Sequence, residues 1–90
     1  MPGEFELRDQ LKRAVLSIST NIAEGIGREK TGEKKHFLGY AKGSVFETVS
    51  LIMVMKRKKL CSERSFTKIY SLCEEISKML FSMISSNTFL

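Results

Sequence analysis

Ser17, Asn21, Glu24 and Arg28 recur every three or four residues along one segment, and Ser44 and Glu47 occupy comparable positions in another. On helices this spacing puts each set on one face. Such a group either lines a ligand or active site, or closes into a polar network that fixes how two helices meet. A buried amide or hydroxyl left without a partner costs about 1–3 kcal/mol, so the network reading requires the members to bond one another. Ser17, Asn21, Ser44 and Glu47 are placed by spacing near a contact between the first two helices, and Glu24 or Glu47 is a candidate partner for Arg28. The structural network is the preferred reading, and no catalytic residue is assigned. His36 stands between Lys35 and Phe37, with Gly32 and Tyr40 at i±4, and is expected to be a surface histidine. No serine lies in a nucleophile-elbow context. Gly25-Ile26-Gly27 lacks the third glycine and the preceding strand of a phosphate-cradling loop. Neither a cofactor nor a small-molecule substrate is expected.

Charge is the second source of chemistry. Between Arg28 and Lys59, nine basic residues face three acidic ones, a local excess of +6 in a chain whose total is +5. Arg28, Lys30, Lys34 and Lys35 form one group, and Lys56, Arg57, Lys58 and Lys59 form another. Cations in the last turn of a helix offset its dipole, but four in a row exceed what that requires. These eight residues are the candidate contacts to phosphate, a salt-sensitive and sequence-independent mode of binding RNA or DNA. The sequence shows no interleaving of aromatic and basic residues of the kind that makes a base-stacking surface. The other reading is a structural or protein-interaction scaffold whose charge is incidental.

Cys61 and Cys73 lie twelve apart with no CxxC pair, and there is one histidine, too few ligands for a structural zinc site. Free thiols in a reducing cytoplasm are expected. The N-terminal residues include acids and no apolar signal-peptide core. The longest apolar run, Leu51 to Met55, is far too short to span a bilayer, so no membrane partner is expected.

The elements that must position these residues are helices. Apolar residues recur at spacings of three and four, and no strand-like alternation competes. Three helices are expected, at about 4–24, 31–58 and 63–85, in a single domain covering 1–90. Leu7, Leu11, Ala14, Ile18 and Ile22 form the stripe of the first. Gly25 and Gly27 are expected to end it in positive-φ conformations. Thr31 is the expected N-cap of the second, Ser62 of the third. The second carries two stripes, Phe37-Ala41-Ser44-Thr48-Leu51-Met55 and Leu38-Val45-Val49-Ile52, so more than one neighbour must cover it. The third carries a heptad-like seam of Phe66, Ile69, Cys73, Ile76, Leu80 and Met83, and the tail from Ser85 to Leu90 is expected to fray. Long helices and short loops predict an all-α, antiparallel, up-down bundle. Tyr40, Phe46, Met53, Phe81 and Ile84 fall off the main seams. That apolar surplus predicts oligomerisation or a missing fourth helix.

Leu7-Arg8-Asp9-Gln10-Leu11-Lys12-Arg13-Ala14, Ser17-Ile18, Asn21-Ile22-Ala23-Glu24-Gly25 and Gly27-Arg28 resemble the four-helix bundle proteins of the 23S rRNA intervening-sequence type. Glu33, Phe37-Leu38, Ala41, Gly43-Ser44, Glu47 and Ser62-Glu63 continue the resemblance over nearly the whole chain. Three departures stand out. The family's first helix, which precedes the Leu-Arg-x-Gln region, has no counterpart here. Ser19 stands where the family often has Pro, and Lys59 replaces the usual Gly before the last helix. The resemblance implies a four-helix bundle lacking its first helix, a homo-oligomeric ring (a pentamer) and a link to nucleic acid. Similar bundles serve as basic accessory proteins of diversity-generating retroelements. A non-enzymatic, cytoplasmic, oligomeric protein that binds RNA, DNA or a nucleoprotein through basic surfaces is therefore the expectation.

Overall fold

The computed structural model describes residues 3–86, and they form three helices: α1 (Glu4–Gly27), α2 (Thr31–Arg57) and α3 (Glu63–Ser86). No strand occurs among the described residues. The expected fraying beyond Ser86 concerns residues outside this range.

α1 begins with Glu4 and Glu6 in its first turn, where carboxylates complement the helix dipole. The Glu6 carboxylate accepts the Gly3 N–H, completing one side of a capping box. The far end differs from expectation. Among the described residues no glycine has positive φ, and α1 runs on through Gly25 to Gly27. Arg28 then leaves the helix in extended conformation (φ −81°, ψ 150°). Gly25 is glycine for another reason: it is buried against the start of α2. The Lys34 ammonium crosses the short connection and donates to the Ile26 carbonyl at 2.9 Å, satisfying one of the free carbonyls that end α1.

α2 starts one residue away from expectation. Lys30 is its N-cap and Thr31 the first helical residue, with no side-chain cap bond. Its C-terminus is a Schellman turn. The Leu60 N–H bonds the Met55 carbonyl at 2.9 Å, and the Lys59 N–H bonds the Lys56 carbonyl at 3.0 Å. Lys59 takes the left-handed conformation (φ 60°) that this turn requires. Leu60 packs back on the cluster containing Met55. α3 is capped as expected: the Ser62 hydroxyl accepts the Ser65 N–H at 3.1 Å.

Both stripes of α2 are covered. Leu38, Ala41, Val45 and Ile52 are almost fully buried, as are Thr48, Ser44, Leu51 and Met55. Leu7 and Ala14, from the N-terminal half of α1, cluster with Leu51 and Met55, from the C-terminal half of α2. Ile18 joins Leu38, Ala41 and Val45 with Cys73 and Leu80 of α3. α2 is thus the central helix; α1 and α3 each pack on it, with no close backbone approach to each other. This central place explains its composition. α2 is long and apolar enough to cross a membrane by length and composition, more than its five-residue apolar run suggested, and it is also the core helix of the three.

The three helices leave large apolar side chains outside the core. Tyr40, Phe46, Met53 and Phe81 are exposed as their off-seam positions predicted, whereas Ile84 packs against the core. Val15, Leu16 and Ile26 of α1 and Leu72 and Met79 of α3 are also exposed.

Candidate nucleic-acid interface

The polar residues of α1 and α2 meet at the seam where the two helices approach. The Ser17 and Ser44 hydroxyls lie 2.8 Å apart, and the Asn21 amide donates to the Ser17 hydroxyl at 3.0 Å and to the Ser17 carbonyl at 2.8 Å. Ser44 donates to the Tyr40 carbonyl at 3.1 Å. Each hydroxyl has one proton, so a direction follows. Asn21 donates to Ser17, Ser17 to Ser44, and Ser44 to Tyr40. Thr48 adds a bond to the Ser44 carbonyl at 2.8 Å. Among the described residues no buried side-chain nitrogen or oxygen lacks a partner.

The two glutamates stand apart from this chain of bonds. Glu24 is exposed and pairs with Arg28 at 2.8 Å. Glu47 is exposed beside Gln10, Arg13 and Ala14, at the rim of a shallow depression. Arg28 also reaches Glu33 at 3.8 Å and lies 4.7 Å from the centre of the Phe37 ring. Glu47 is fourteen residues along α2 from Glu33, about 21 Å at 1.5 Å per residue, and takes no part in this cluster. His36 is exposed, with Nε2 2.7 Å from the Tyr40 hydroxyl. The partner at i+4 that sequence reading set aside is thus its neighbour, through a hydrogen bond rather than an acid–base pair. Among the described residues no group of three or more His, Cys, Asp or Glu is placed to hold a metal.

The eight candidate cations divide into two ends of the molecule. Lys30, Lys34 and Lys35 lie at the start of α2, Lys56 and Arg57 at its end, and the helix between spans about 40 Å. The longest dimension of the chain is 43 Å, so one subunit does not join them into one surface. At the first end, Arg28 and Lys34 are engaged within the α1–α2 connection. At the second, Arg57, Lys58 and Lys59 are exposed, while Lys56 pairs with Glu63 at 3.1 Å and lies 4.4 Å from the Phe66 ring centre. Arg64 and Lys68, exposed on the first turns of α3, extend this end across the connection. Sequence reading missed them because they belong to the next helix; their i,i+4 spacing was the available signal.

Aromatic and basic side chains do interleave, contrary to expectation, once within α2 and twice between α2 and α3. Along the α2–α3 seam Lys42 lies 4.9 Å from the Phe81 ring centre and 5.9 Å from that of Phe46. Further along, Lys56 covers Phe66, which stacks on Tyr70 with centres 5.8 Å apart. Lys42–Phe46 and Phe66–Tyr70 are i,i+4 neighbours on one helix, but Lys42–Phe81 and Lys56–Phe66 form only when α2 and α3 pack, so no linear motif announces those two.

Residues 2–82 match the family model of the 23S rRNA-intervening sequence protein, and the chain belongs to that family. No curated protein and no solved structure matches it.

Proposed function

We propose that the protein is a non-enzymatic, cytoplasmic helical-bundle protein that assembles with copies of itself and binds nucleic acid through its basic end. The observation that carries this reading is the α2–α3 connection. Arg57, Lys58 and Lys59 are exposed there, as are Arg64 and Lys68 on the first turns of α3. Lys59 keeps a charged side chain in a left-handed conformation that costs about 1–2 kcal/mol for any residue but glycine. Family membership supports an RNA-related role. The closed hydrogen-bond chain from Asn21 to Tyr40 supports a packing role for the polar seam over catalysis. The clustering of α1 and α2 by opposite halves supports an antiparallel, up-down arrangement. Exposed Val15, Leu16 and Ile26 of α1 and Leu72 and Met79 of α3 support a ring of subunits that would cover them and repeat the basic end around its circumference. The free cysteines fit a reducing compartment.

Titration of labelled RNA and DNA against the chain at about 50 and 200 mM salt tests the binding claim. Affinity should fall steeply with salt, and K58E/K59E should weaken both nucleic acids. Unchanged binding in that variant would sink the assignment of the basic end. Light scattering that returned a stable monomer would sink the ring.

A further inference from the structure

We propose that the open trough between α2 and α3 is a stacking site for single-stranded nucleic acid. This rests on the nucleic-acid reading above and adds a second surface to it, distinct from the lysine-rich connection. The trough has a volume of about 570 Å³, within the ~300–1,000 Å³ range of ligand sites, and its floor is Val45, Val49 and Cys73.

Three aromatic rings stand on its walls, and all are open to solvent: Phe46 is 58% exposed, Phe81 60% and Tyr70 44%. Exposed rings of this size are poor choices for a surface that meets only water. Single-strand sites use such rings as platforms, because every base has a π-face, and add cations that follow the backbone. Here the cations are in place. Lys42 sits between Phe46 and Phe81, and Lys78 lines the same trough, against one carboxylate, Glu74. The line of rings continues from Tyr70 to Phe66 and so to Lys56 at the basic end. From Phe66 to Phe81 the helix rises about 22 Å, room for a few nucleotides.

The charge balance and the placing of Lys42 against both Phe46 and Phe81 select this occupant over an apolar helix. A helix would leave Lys42, Lys78 and Glu74 to be desolvated at its edges. A duplex holds its bases stacked inside and cannot offer them to the rings. The trough therefore separates strand types, which the basic end alone does not.

The test compares an oligouridylate of about twelve nucleotides, within the ~4–16 that single-strand folds cover, with a duplex of equal length. F46L/F81L keeps apolar volume and removes the planar faces. It should bind the oligouridylate about tenfold or more weakly, and the duplex within about twofold of the parent. Ultraviolet cross-linking of oligouridylate to the parent chain should map to the peptides holding Phe46, Tyr70 and Phe81, a readout that does not depend on the variant folding. If the parent holds neither strand form at low salt, the nucleic-acid reading fails and the trough with it. If it holds both but the rings change nothing, or cross-links fall elsewhere, the trough alone is refuted. A variant that changes assembly mass at unchanged affinity per subunit assigns the trough to a second copy, and also overturns the proposal.

Discussion

The Ser17 hydroxyl of α1 meets the Ser44 hydroxyl of α2 at 2.8 Å, in the middle of a chain of donors running from Asn21 to the Tyr40 carbonyl. Ser44 both donates and accepts in this chain. Ser44→Ala should therefore cost about 1–2 kcal/mol, since it strands the Ser17 proton at a half-buried seam. S17A/S44A should cost less than the sum of the single changes, with a coupling of about 0.5 kcal/mol or more. Urea unfolding of the three variants gives the cycle; strict additivity would show that the hydroxyls act independently.

Gly25 and Gly43 should respond to alanine with opposite signs. A Cβ on Gly25 would stand 3.2 Å from the Lys34 carbonyl oxygen, 3.2 Å from Phe37 Cβ and 3.4 Å from a Leu38 methyl. One on Gly43 would meet nothing within 4 Å. Gly25→Ala should destabilise by about 1–2 kcal/mol, crowding outweighing better helix propensity, while Gly43→Ala should stabilise by about 0.5–1 kcal/mol. Thermal unfolding that ranked the two the other way would contradict the close approach of α1 to the start of α2.

Lys59→Gly separates stability from binding. Relief of the left-handed backbone should stabilise the chain by about 1 kcal/mol. Loss of one cation should lower nucleic-acid affinity and reduce the salt slope by about one. Denaturant midpoints and binding isotherms measured on the same preparation check both halves; a slope equal to the parent's would remove Lys59 from the interface.

Burial pushes the Cys73 thiol above the ordinary thiol value. The folded chain thus keeps its proton at a pH where the unfolded chain has begun to ionise. The sign follows from linkage: this stability is fully present below the unfolded value, about pH 8.5, and is lost as pH rises toward the folded one. Cys73→Ala should lose some stability at pH 7 from its cavity, yet show a smaller further drop between about pH 7 and 10 than the parent. Parallel slopes in the two chains would place the alkaline loss elsewhere. Half-buried Cys61 should react with an alkylating reagent in the folded state well before Cys73 does.

The helices were legible because their signal is local and repeated. Leu7, Ala14 and Ile18 announce the buried face of α1, and the double stripe of α2 announces two neighbours. The ends were harder. Gly25 and Gly27 read as helix terminators because glycine permits positive φ, but here the absence of a Cβ at Gly25 serves packing, a demand set by Phe37 and Leu38 across the connection. Gly43 is the converse: a Cβ there would face open space, and its neighbour Ser44 makes the contact with α1. The serine–asparagine seam could be read from spacing, since hydroxyls and an amide on facing helices must find each other. Which glutamates joined it could not, because a carboxylate on a seam's edge turns outward when an arginine such as Arg28 waits one turn away. Lys42 against Phe81 has no linear signature at all: the two residues are 39 positions apart.

The central place of α2 sets an order of release. Since α1 and α3 each hold to α2 without close backbone approach to one another, either can detach while the other stays docked. α3 has the smaller share of that packing, so its amides should exchange with deuterium through a cheaper local opening than those around Ala41, Val45 and Ile52. A helix that lets go first is also the helix most readily traded with a neighbouring molecule.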